Sequence, residues 1–279
     1  MELIAKADKK ANSSGWFSGP KRDEAAELYT KAANHYKLIK RWKEAGDTYS
    51  KAAQMQMMID ERDEAAQTFI SAAKCYKKST PEDAIVSLKQ AVEILTDHGR
   101  FHAAANQMRD IAQIYEADLS DISQAMQSYE TAADWFNGEE AVSLANQCLL
   151  KVASFAAEVE QYDRAIEKFE TVAAASMDSQ LSKWSLKEYF LKAGFCHLCK
   201  GDIVGMQDAL GRYSEMDITF RTTSEFKLLH DLAEAVEAGD VEAFTAHVVQ
   251  YDQLSKLDEW KTRILLRVKK SIVEEPDFT

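Results

Sequence analysis

The chain has 279 residues, of which 46% are hydrophobic and 29% charged, and its formal net charge is −12. This length allows a sizeable core, and the acidic balance argues against nucleic acid as a partner, because a phosphate backbone attracts cations. The sequence has no run of 18 apolar residues and no apolar amino-terminal stretch, so we expect neither a membrane span nor a signal peptide. These features predict a cytoplasmic protein.

The first part of the chain contains a helical repeat. With only three prolines and ten glycines, nearly the whole chain is predicted to be helical. A pattern of Asp-Glu-Ala-Ala, an aromatic residue, Ala-Ala and Tyr-Lys occurs over 23–37 and again over 63–77, with a related half-unit around Tyr49. The aromatic residue and the alanine pairs share one helix face. Such a helix buries that face only by stacking on its neighbours.

We predict about 14 helices from this periodicity and from the turn signals. The first covers 1–11 and is followed by a loop over 12–21. Hairpin pairs then cover 23–38 with 42–58, 62–78 with 81–96, 100–116 with 121–136, and 140–157 with 161–176, and five more helices cover about 185–199, 203–216, 222–238, 240–254 and 257–271. Gly99 and Gly138 fit the left-handed position that ends a helix.

The Ala-Ala repeat fades beyond residue 180, where the apolar faces become larger and more varied. The predicted fold is therefore all-α: a TPR-like twisted sheet of antiparallel helix hairpins over 1–180, followed by a C-terminal helical bundle with an acidic tail over 181–279. Charge is also uneven, because 201–260 hold 13 acids and 4 bases whereas 261–270 hold five bases and no acid. This asymmetry indicates two kinds of contact surface.

The sequence gives no positive sign of catalytic chemistry. Residues 15–21 include glycines and a lysine, but Pro20 interrupts them and no strand precedes them, so a phosphate-binding loop is not indicated. Cys196 and Cys199 have the spacing of half a zinc site, but the sequence offers no second Cys/His cluster, and both are expected to be buried on a helix. We therefore predict no metal, no cofactor and no enzymatic activity.

An aromatic pair stands in the predicted loop 12–21. Trp16 and Phe17 lie between glycines and serines, and four cations flank them, namely Lys9, Lys10, Lys21 and Arg22. Exposed aromatic rings beside cations favour a weak contact with anionic lipid headgroups. The alternative is that the rings fold back and cover the first helix pair.

Several longer segments resemble the alpha type of the soluble NSF attachment proteins. The matching segments are AAN with YK (32–37), DHGRF (97–101), IAQIYE (111–116), GEE (138–140), ANQCLLKVA (145–153), EQY (160–162), LDEW (257–260) and LLRVKK (265–270). The resemblance extends along nearly the whole chain and is more specific than a general helical repeat. A gamma-type member of the same family is an alternative, but these segments fit the alpha type better.

The resemblance implies an adaptor rather than an enzyme. Family members lay a concave face along the four-helix SNARE bundle formed by syntaxin-like, SNAP-25-like and synaptobrevin-like chains. They recruit the hexameric ATPase NSF with their C-terminal end and stimulate it, and the bundle then comes apart. For this chain the resemblance implies a monomer that binds a SNARE complex in several copies and associates peripherally with the membrane.

The resemblance also assigns partner-binding residues. The positions that match SNARE-facing residues are Lys40, Arg100, Leu181, Trp184 and Lys187, and those that match the membrane-contacting loop are Trp16 and Phe17. Asn106 and Gln147 stand where animal members have lysines. The positions that match NSF-facing residues are Asp202, Glu234, Glu237 and Phe278, with Phe278 in place of the usual penultimate leucine and Ala238 in place of one family acid.

Two other functions share parts of this pattern. A general TPR-like co-chaperone or scaffold adaptor for other peptide partners requires a cluster of Lys, Asn and Arg in one repeat groove, and none occurs at regular spacing. A small-molecule enzyme on an all-helical fold requires a closed pocket with converging titratable groups, which an extended helical stack rarely provides. Binding to a SNARE bundle and to NSF distinguishes the three functions.

Overall fold

The structure is a computed structural model, and it describes residues 2–12, 21–177 and 185–274. Within these ranges the chain forms fourteen α-helices, one 3-10 helix at Phe220–Thr222 and no strand. The helices are α1 (Glu2–Ala11), α2 (Arg22–Leu38), α3 (Trp42–Met58), α4 (Arg62–Tyr76), α5 (Pro81–Asp97), α6 (Phe101–Ala117), α7 (Ile122–Gly138), α8 (Val142–Glu158), α9 (Tyr162–Ser176), α10 (Leu186–Cys199), α11 (Ile203–Met216), α12 (Ser224–Glu237), α13 (Val241–Leu254) and α14 (Glu259–Glu274). The predicted all-α fold is confirmed, and the helix bounds move by only a few residues.

The chain divides into two compact units, Met1–Ala145 and Asn146–Thr279, called unit 1 and unit 2 below. The change in sequence pattern near residue 180, which suggested domains of 1–180 and 181–279, lies inside unit 2. Among the described helices, none combines the length and the apolar character needed to cross a membrane.

Unit 1 consists of helices that pack on their neighbours in chain order. α2 packs on α3, and this pairing continues through α4, α5, α6 and α7. The connections between these helices are only a few residues long, so consecutive helices run antiparallel. The turns therefore alternate between the two ends of the helices.

Buried alanines and tyrosine hydroxyls join these helices. Ala45 and Ala65 have no exposed surface, and their small size lets helix backbones approach closely. The aromatic positions of the repeat add a hydrogen bond to the preceding helix: the hydroxyls donate from Tyr29 to Asp8 at 2.5 Å, from Tyr49 to Asn34 at 2.6 Å and from Tyr76 to Asp47 at 2.8 Å. Each bond of this kind stabilises the fold by about 1 kcal/mol and fixes one helix against the next.

The turns of unit 1 use a left-handed residue that is often not glycine. Lys40 and Asp60 have φ values of 59° and 63°, and Gly99 has the predicted positive φ of 68°. The prediction that Gly138 takes this position is wrong. Gly138 is still part of α7, and the chain turns two residues later at Glu140, whose φ is 57°.

Unit 2 buries larger rings. Phe190 stacks on Tyr213 with ring centroids 4.5 Å apart, and Phe220 meets Phe190 edge-on at 5.1 Å. Trp260 of α14 packs against Phe169, and its Nε1 atom donates to the backbone carbonyl of Ser154 at 3.0 Å. These contacts hold α14 against α8 and α9.

Candidate partner-binding surfaces

The two basic residues assigned in unit 1 lie at helix turns. Lys40 is exposed at the left-handed position between α2 and α3. Arg100 lies just before α6, and its Nη1 atom donates to Oδ1 of Asp63 at 2.9 Å. This guanidinium, with a smaller contribution from His98, lowers the pKa of the Asp63 carboxyl. The Arg100 side chain is still 47% exposed, so a partner can reach it.

The structure does not bring Lys40 and Arg100 together. The α2–α3 turn and the α5–α6 turn are separated by three antiparallel helices, so they lie at opposite ends of the unit 1 helices. A helix of 17 residues, such as α3, is about 25 Å long. A partner that contacts both residues must therefore extend across the helices.

Lys187 holds a buried carboxylate in unit 2 and also reaches the surface. Its Nζ atom donates to Oε1 of Glu225 at 3.0 Å, and the Tyr251 hydroxyl donates to the same oxygen at 3.3 Å. Burial is the largest single influence and raises the pKa of Glu225. The hydrogen bond and charge of Lys187, a backbone hydrogen bond and the Ser224 hydroxyl together outweigh it, so the pKa is lowered and the carboxylate stays charged. The Lys187 side chain is 46% exposed.

α10 and α12 run in the same direction. Lys187 in the first turn of α10 contacts Glu225 in the first turn of α12. One to two turns further along, Gly194 of α10 lies against the side chain of Leu229 of α12. Contacts in the same order along two packed helices of equal length place their C-terminal ends on the same side of unit 2.

The three acids that the family resemblance assigns to NSF lie among the described residues, and they lie together at the C-terminal ends of α10 and α12. Asp202 follows α10 within a few residues, and Glu234 and Glu237 belong to the last turn of α12. Lys187 lies at the other end of the same helices. Unit 2 therefore separates its assigned basic contact from its assigned acidic contacts by the length of α10.

The Asp202 side chain already makes a hydrogen bond within the fold. It accepts a hydrogen bond from the backbone N–H of Gly205 at 2.9 Å and so caps the N-terminus of α11. Lys200 Nζ and His197 Nδ1 each lie 3.9 Å from its carboxylate. Glu237, in contrast, is exposed at the end of α12, so we expect it to be more available to a partner.

Five of the assigned residues lie outside the described residues. They are Trp16, Phe17, Leu181, Trp184 and Phe278. Their roles stay predictions.

Asn106, which stands where animal members of the resembled family have a lysine, lies beside Arg109. This cation was not identified from the sequence. Nη2 of Arg109 donates to the Asn106 side-chain oxygen at 2.9 Å, one helical turn away. Arg109 also lies over the ring of Phe136, 5.7 Å from its centroid. The i, i+3 spacing of Asn106 and Arg109 was the available signal. A positive charge is thus retained near this position, whereas Gln147 is an exposed neutral residue on α8.

A histidine–carboxylate group in unit 2 was also missed. His230, Asp231 and Glu234 each offer a ligand atom within 4.8 Å of the other two. Nδ1 of His247, on the neighbouring helix α13, lies 3.5 Å from Oδ2 of Asp231. The i, i+4 spacing of His230 and Glu234 on a predicted helix was the signal in the sequence.

The cysteine pair considered as half a zinc site lies on α10, as expected. Cys196 is buried and Cys199 half-buried. Burial raises the pKa of both thiols, to about 11 for Cys199. Neither ring nitrogen of His197, which lies between them in sequence, has a hydrogen-bond partner among the described residues. Among the described residues, this pair is not part of any group of three or more His, Cys, Asp or Glu side chains at ligand distance, so a zinc ion would lack the four ligands that it needs there.

The fold is that of a helical-repeat protein, and in unit 2 Lys187 and Asp202 lie at opposite ends of α10. A family model described as soluble NSF attachment protein, SNAP, matches residues 1–273. The chain belongs to the soluble NSF attachment protein family.

Curated relatives match over nearly their whole length. The chain is 52% identical to the vesicular-fusion protein SEC17 of Coprinopsis cinerea, over 99% of this chain and 97% of the relative. It is 45% identical to the alpha-soluble NSF attachment protein of Vitis vinifera, over 100% and 97% of the two chains. It is 44% identical to the alpha-soluble NSF attachment protein of Homo sapiens, over 98% and 94%. These three names describe attachment and vesicle fusion rather than a catalysed reaction.

Proposed function

We propose that this protein is an adaptor that binds assembled SNARE complexes and recruits and stimulates the NSF ATPase, so that the complexes are disassembled in vesicle trafficking and membrane fusion. Membership of the soluble NSF attachment protein family supports this function, as do the names of its relatives. No observation on the described surfaces favours the alternative, a co-chaperone or scaffold for other peptide partners.

The observation that supports two simultaneous contacts is the separation of the assigned residues in unit 2. Lys187 lies at one end of α10 and α12, and the acids Asp202, Glu234 and Glu237 lie at the other. We assign the basic end to the SNARE complex and the acidic end to the ATPase. Complementary charge speeds encounter and sets orientation, whereas each exposed pair adds little affinity. Because the two contacts use different residues, both partners can be held at once.

We assign the SNARE surface to Lys40 and Arg100 in unit 1 and to Leu181, Trp184 and Lys187 in unit 2. Lys40 and Arg100 lie at opposite ends of the unit 1 helices, which suits a rod-like partner that crosses several helices. A short peptide in one groove does not reach both. The same rod-like shape leaves room for several copies of a monomeric adaptor, which mass measurements of the free protein and of the complex test.

Charge reversal at Arg100 tests the SNARE surface. Arg100→Glu should slow the disassembly of a SNARE bundle by NSF, because it removes a cation and places an acid beside Asp63, which then keeps only His98 as a partner. Lys89→Glu, an exposed cation of α5 outside the assigned surface, is the matched control. Equal disassembly rates for Arg100→Glu and the unaltered protein at physiological salt would contradict the assignment.

Lys187 requires a different substitution, because a glutamate there would stand beside the buried Glu225 and destabilise unit 2 itself. We therefore compare Lys187→Met with the double variant Lys187→Met, Glu225→Gln. The double variant removes the unpaired charge but still lacks the surface cation. Slow disassembly in both variants supports a SNARE contact, whereas recovery in the double variant shows that Lys187 acts only within the fold.

The ATPase surface is tested at the acidic end. Glu234→Lys with Glu237→Lys should bind the SNARE bundle as before but recruit NSF about tenfold more weakly, since each exposed pair contributes up to about 1 kcal/mol. Glu215→Lys is the control, because Glu215 is an exposed acid near the C-terminal end of α11, away from this end of unit 2. NSF recruitment that is unchanged in the double variant would refute the acidic assignment.

Phe278 is proposed to stimulate the ATPase in place of the family leucine. Deleting it should leave SNARE binding intact and reduce stimulated ATP hydrolysis, so unchanged hydrolysis contradicts this role.

Trp16 and Phe17 are proposed to make the peripheral membrane contact. Burying each ring in the headgroup region contributes about 1.5–3 kcal/mol, so Trp16→Ser with Phe17→Ser should weaken binding to anionic liposomes. If the rings instead cover the first helix pair, the same variant destabilises α1 and α2 without lipid and leaves liposome binding unchanged.

A further inference from the structure

Four side chains that commonly bind metals lie together in unit 2. Nδ1 of His230 lies 3.7 Å from Oε2 of Glu234 and 3.9 Å from Oδ1 of Asp231. One ligand atom from each of these three residues lies within 4.8 Å of the other two. Nδ1 of His247, from α13, lies 3.5 Å from the second oxygen of Asp231. Two imidazoles and two carboxylates therefore meet on the surface of α12 and α13.

The helix places three of these residues on one side. His230 and Glu234 are four residues apart and Asp231 and Glu234 are three apart, so their side chains are neighbours on α12. The ring of Phe226 lies against His230, with centroids 6.3 Å apart and planes at 30°.

The two separations that involve His230 are close to those of a zinc site, and the carboxylates of Asp231 and Glu234 lie within 4.8 Å of each other. Zinc bonds to nitrogen and oxygen are about 2.0–2.2 Å long, so neighbouring ligands of a tetrahedral ion are about 3.3–3.6 Å apart. The 3.7 and 3.9 Å separations to His230 need to shorten by only a few tenths of an ångström. A mixed imidazole and carboxylate set suits zinc, whereas magnesium and calcium prefer oxygen ligands alone.

We propose that His230, Asp231 and Glu234 bind a zinc ion, with water as the fourth ligand. Nδ1 of His247 lies 3.5 Å from the second oxygen of Asp231, at the place where an outer hydrogen-bond partner of a metal ligand would stand. Two surface cavities, of about 440 and 60 Å³, border Asp231 and give the ion a route to the site. Lys227 lines both cavities, and its positive charge opposes the ion. The proposal does not rest on the adaptor function, but the site shares Glu234 with the assigned ATPase surface, so a bound zinc ion would occupy one of the acids of that surface.

Calorimetric titration of the full chain with zinc chloride tests this site. We expect one ion per chain and an affinity at least tenfold weaker in His230→Ala and in Glu234→Gln, because each variant loses a direct ligand. Lys227→Gln should bind zinc more tightly, because the opposing charge is gone. An excess of magnesium chloride should not displace the zinc.

Three matched variants separate this site from other zinc ligands. His35→Ala and Glu215→Gln change an exposed histidine and an exposed acid elsewhere, and Cys199→Ser removes the half-buried thiol, so all three should bind zinc as the unaltered chain does. His230 and Glu234 are 51% and 69% exposed, so their variants should show unchanged helical circular dichroism. No zinc binding by the unaltered chain, unchanged binding in His230→Ala, or loss of binding in Cys199→Ser overturns the proposal.

Discussion

Unit 1 and unit 2 are both helical in their described parts, but they bury different kinds of side chain. In unit 1 the helix contacts centre on alanines such as Ala45 and Ala65, which have no exposed surface, and on tyrosines that bond to the preceding helix. In unit 2 the first helices, α8 and α9, still bury alanines, but from α10 onward the contacts centre on rings such as Phe190 and Phe220 and on charged groups withdrawn from water, such as Lys261.

This difference determines which substitutions each unit tolerates. Helices that meet through alanine are close together, so added atoms have no room. Helices that meet through rings or buried charged side chains are held by large groups. A removed ring therefore leaves a cavity, and a removed charged side chain leaves its partner as an unpaired charge. Because a protein with two compact units need not unfold in one step, hydrogen exchange is the suitable measurement, since it reports each unit separately.

The largest effect is expected for Phe190→Ala in unit 2. Phe190 has no exposed surface and contacts both Tyr213 and Phe220, so the variant should lose about 3–5 kcal/mol of unfolding free energy. Exchange protection in α10–α12 should fall accordingly, with unit 1 little changed. Ile218→Ala, at a side chain 81% exposed, is the control and should change stability by less than about 0.5 kcal/mol. Equal losses in the two variants would show that ring packing does not stabilise unit 2.

A smaller loss, of about 2 kcal/mol, is expected for Lys261→Met. Lys261 is 7% exposed and its Nζ atom lies 2.8 Å from a Glu188 oxygen, so the variant leaves Glu188 without its main partner. The cost stays moderate because Glu188 is 35% exposed and Lys192 lies 3.8 Å away. Adding Glu188→Gln should restore part of the lost stability. If the double variant is less stable than Lys261→Met, the charge of Glu188 is not the cause.

Gly46→Ala tests whether unit 1 is sensitive to added atoms. A Cβ atom at Gly46 would lie 2.6 Å from the ring of Tyr76, which is held by its bond to Asp47. Alanine ordinarily stabilises a helix by about 0.8–1 kcal/mol relative to glycine, but overpacking costs about 1–3 kcal/mol. We expect a net loss of about 1 kcal/mol in unit 1. Gly211→Ala in α11 of unit 2 has open space around its Cβ position and should gain stability, so a gain in both variants would contradict the close approach of α3 and α4.

The two units also differ in how much of their structure the sequence could predict. The alanine and aromatic positions of unit 1 recur at helical spacing, so helices such as Arg22–Leu38 and Trp42–Met58 follow from local pattern alone. The bond between Lys187 and Glu225 spans 38 residues and depends on how α10 packs on α12, which no periodicity reveals.

For the candidate site, the residue types could be predicted but their arrangement in space could not. Residue types at the assigned positions followed from the family resemblance. Their grouping did not, because the alternation of the turns separates Lys40 from Arg100, and the parallel course of α10 and α12 brings Asp202 to the end that holds Glu237. The partners of each charge depend on tertiary packing in the same way, as with Asp63 beside Arg100.

The smallest effect is expected from a buried titrating group of unit 2, and it appears only in acid. Burial lowers the pKa of His197, with further lowering by Lys200 and Arg212, although Glu170 and Asp202 act in the opposite direction. The unfolded chain therefore binds a proton at a higher pH than the folded chain does. The neutral imidazole's contribution to stability is fully present above the ordinary histidine pKa of 6.5 and is lost as pH falls below it.

Unit 2 should therefore lose exchange protection, corrected for intrinsic rates, between pH 7 and pH 5. His197→Gln removes the titrating ring at similar size and should reduce that loss. His35→Gln, at an exposed histidine of α2, should leave it unchanged. If His197→Gln shows the same acid loss as the unaltered protein, then other groups of unit 2 cause it, and the buried imidazole does not link stability to pH.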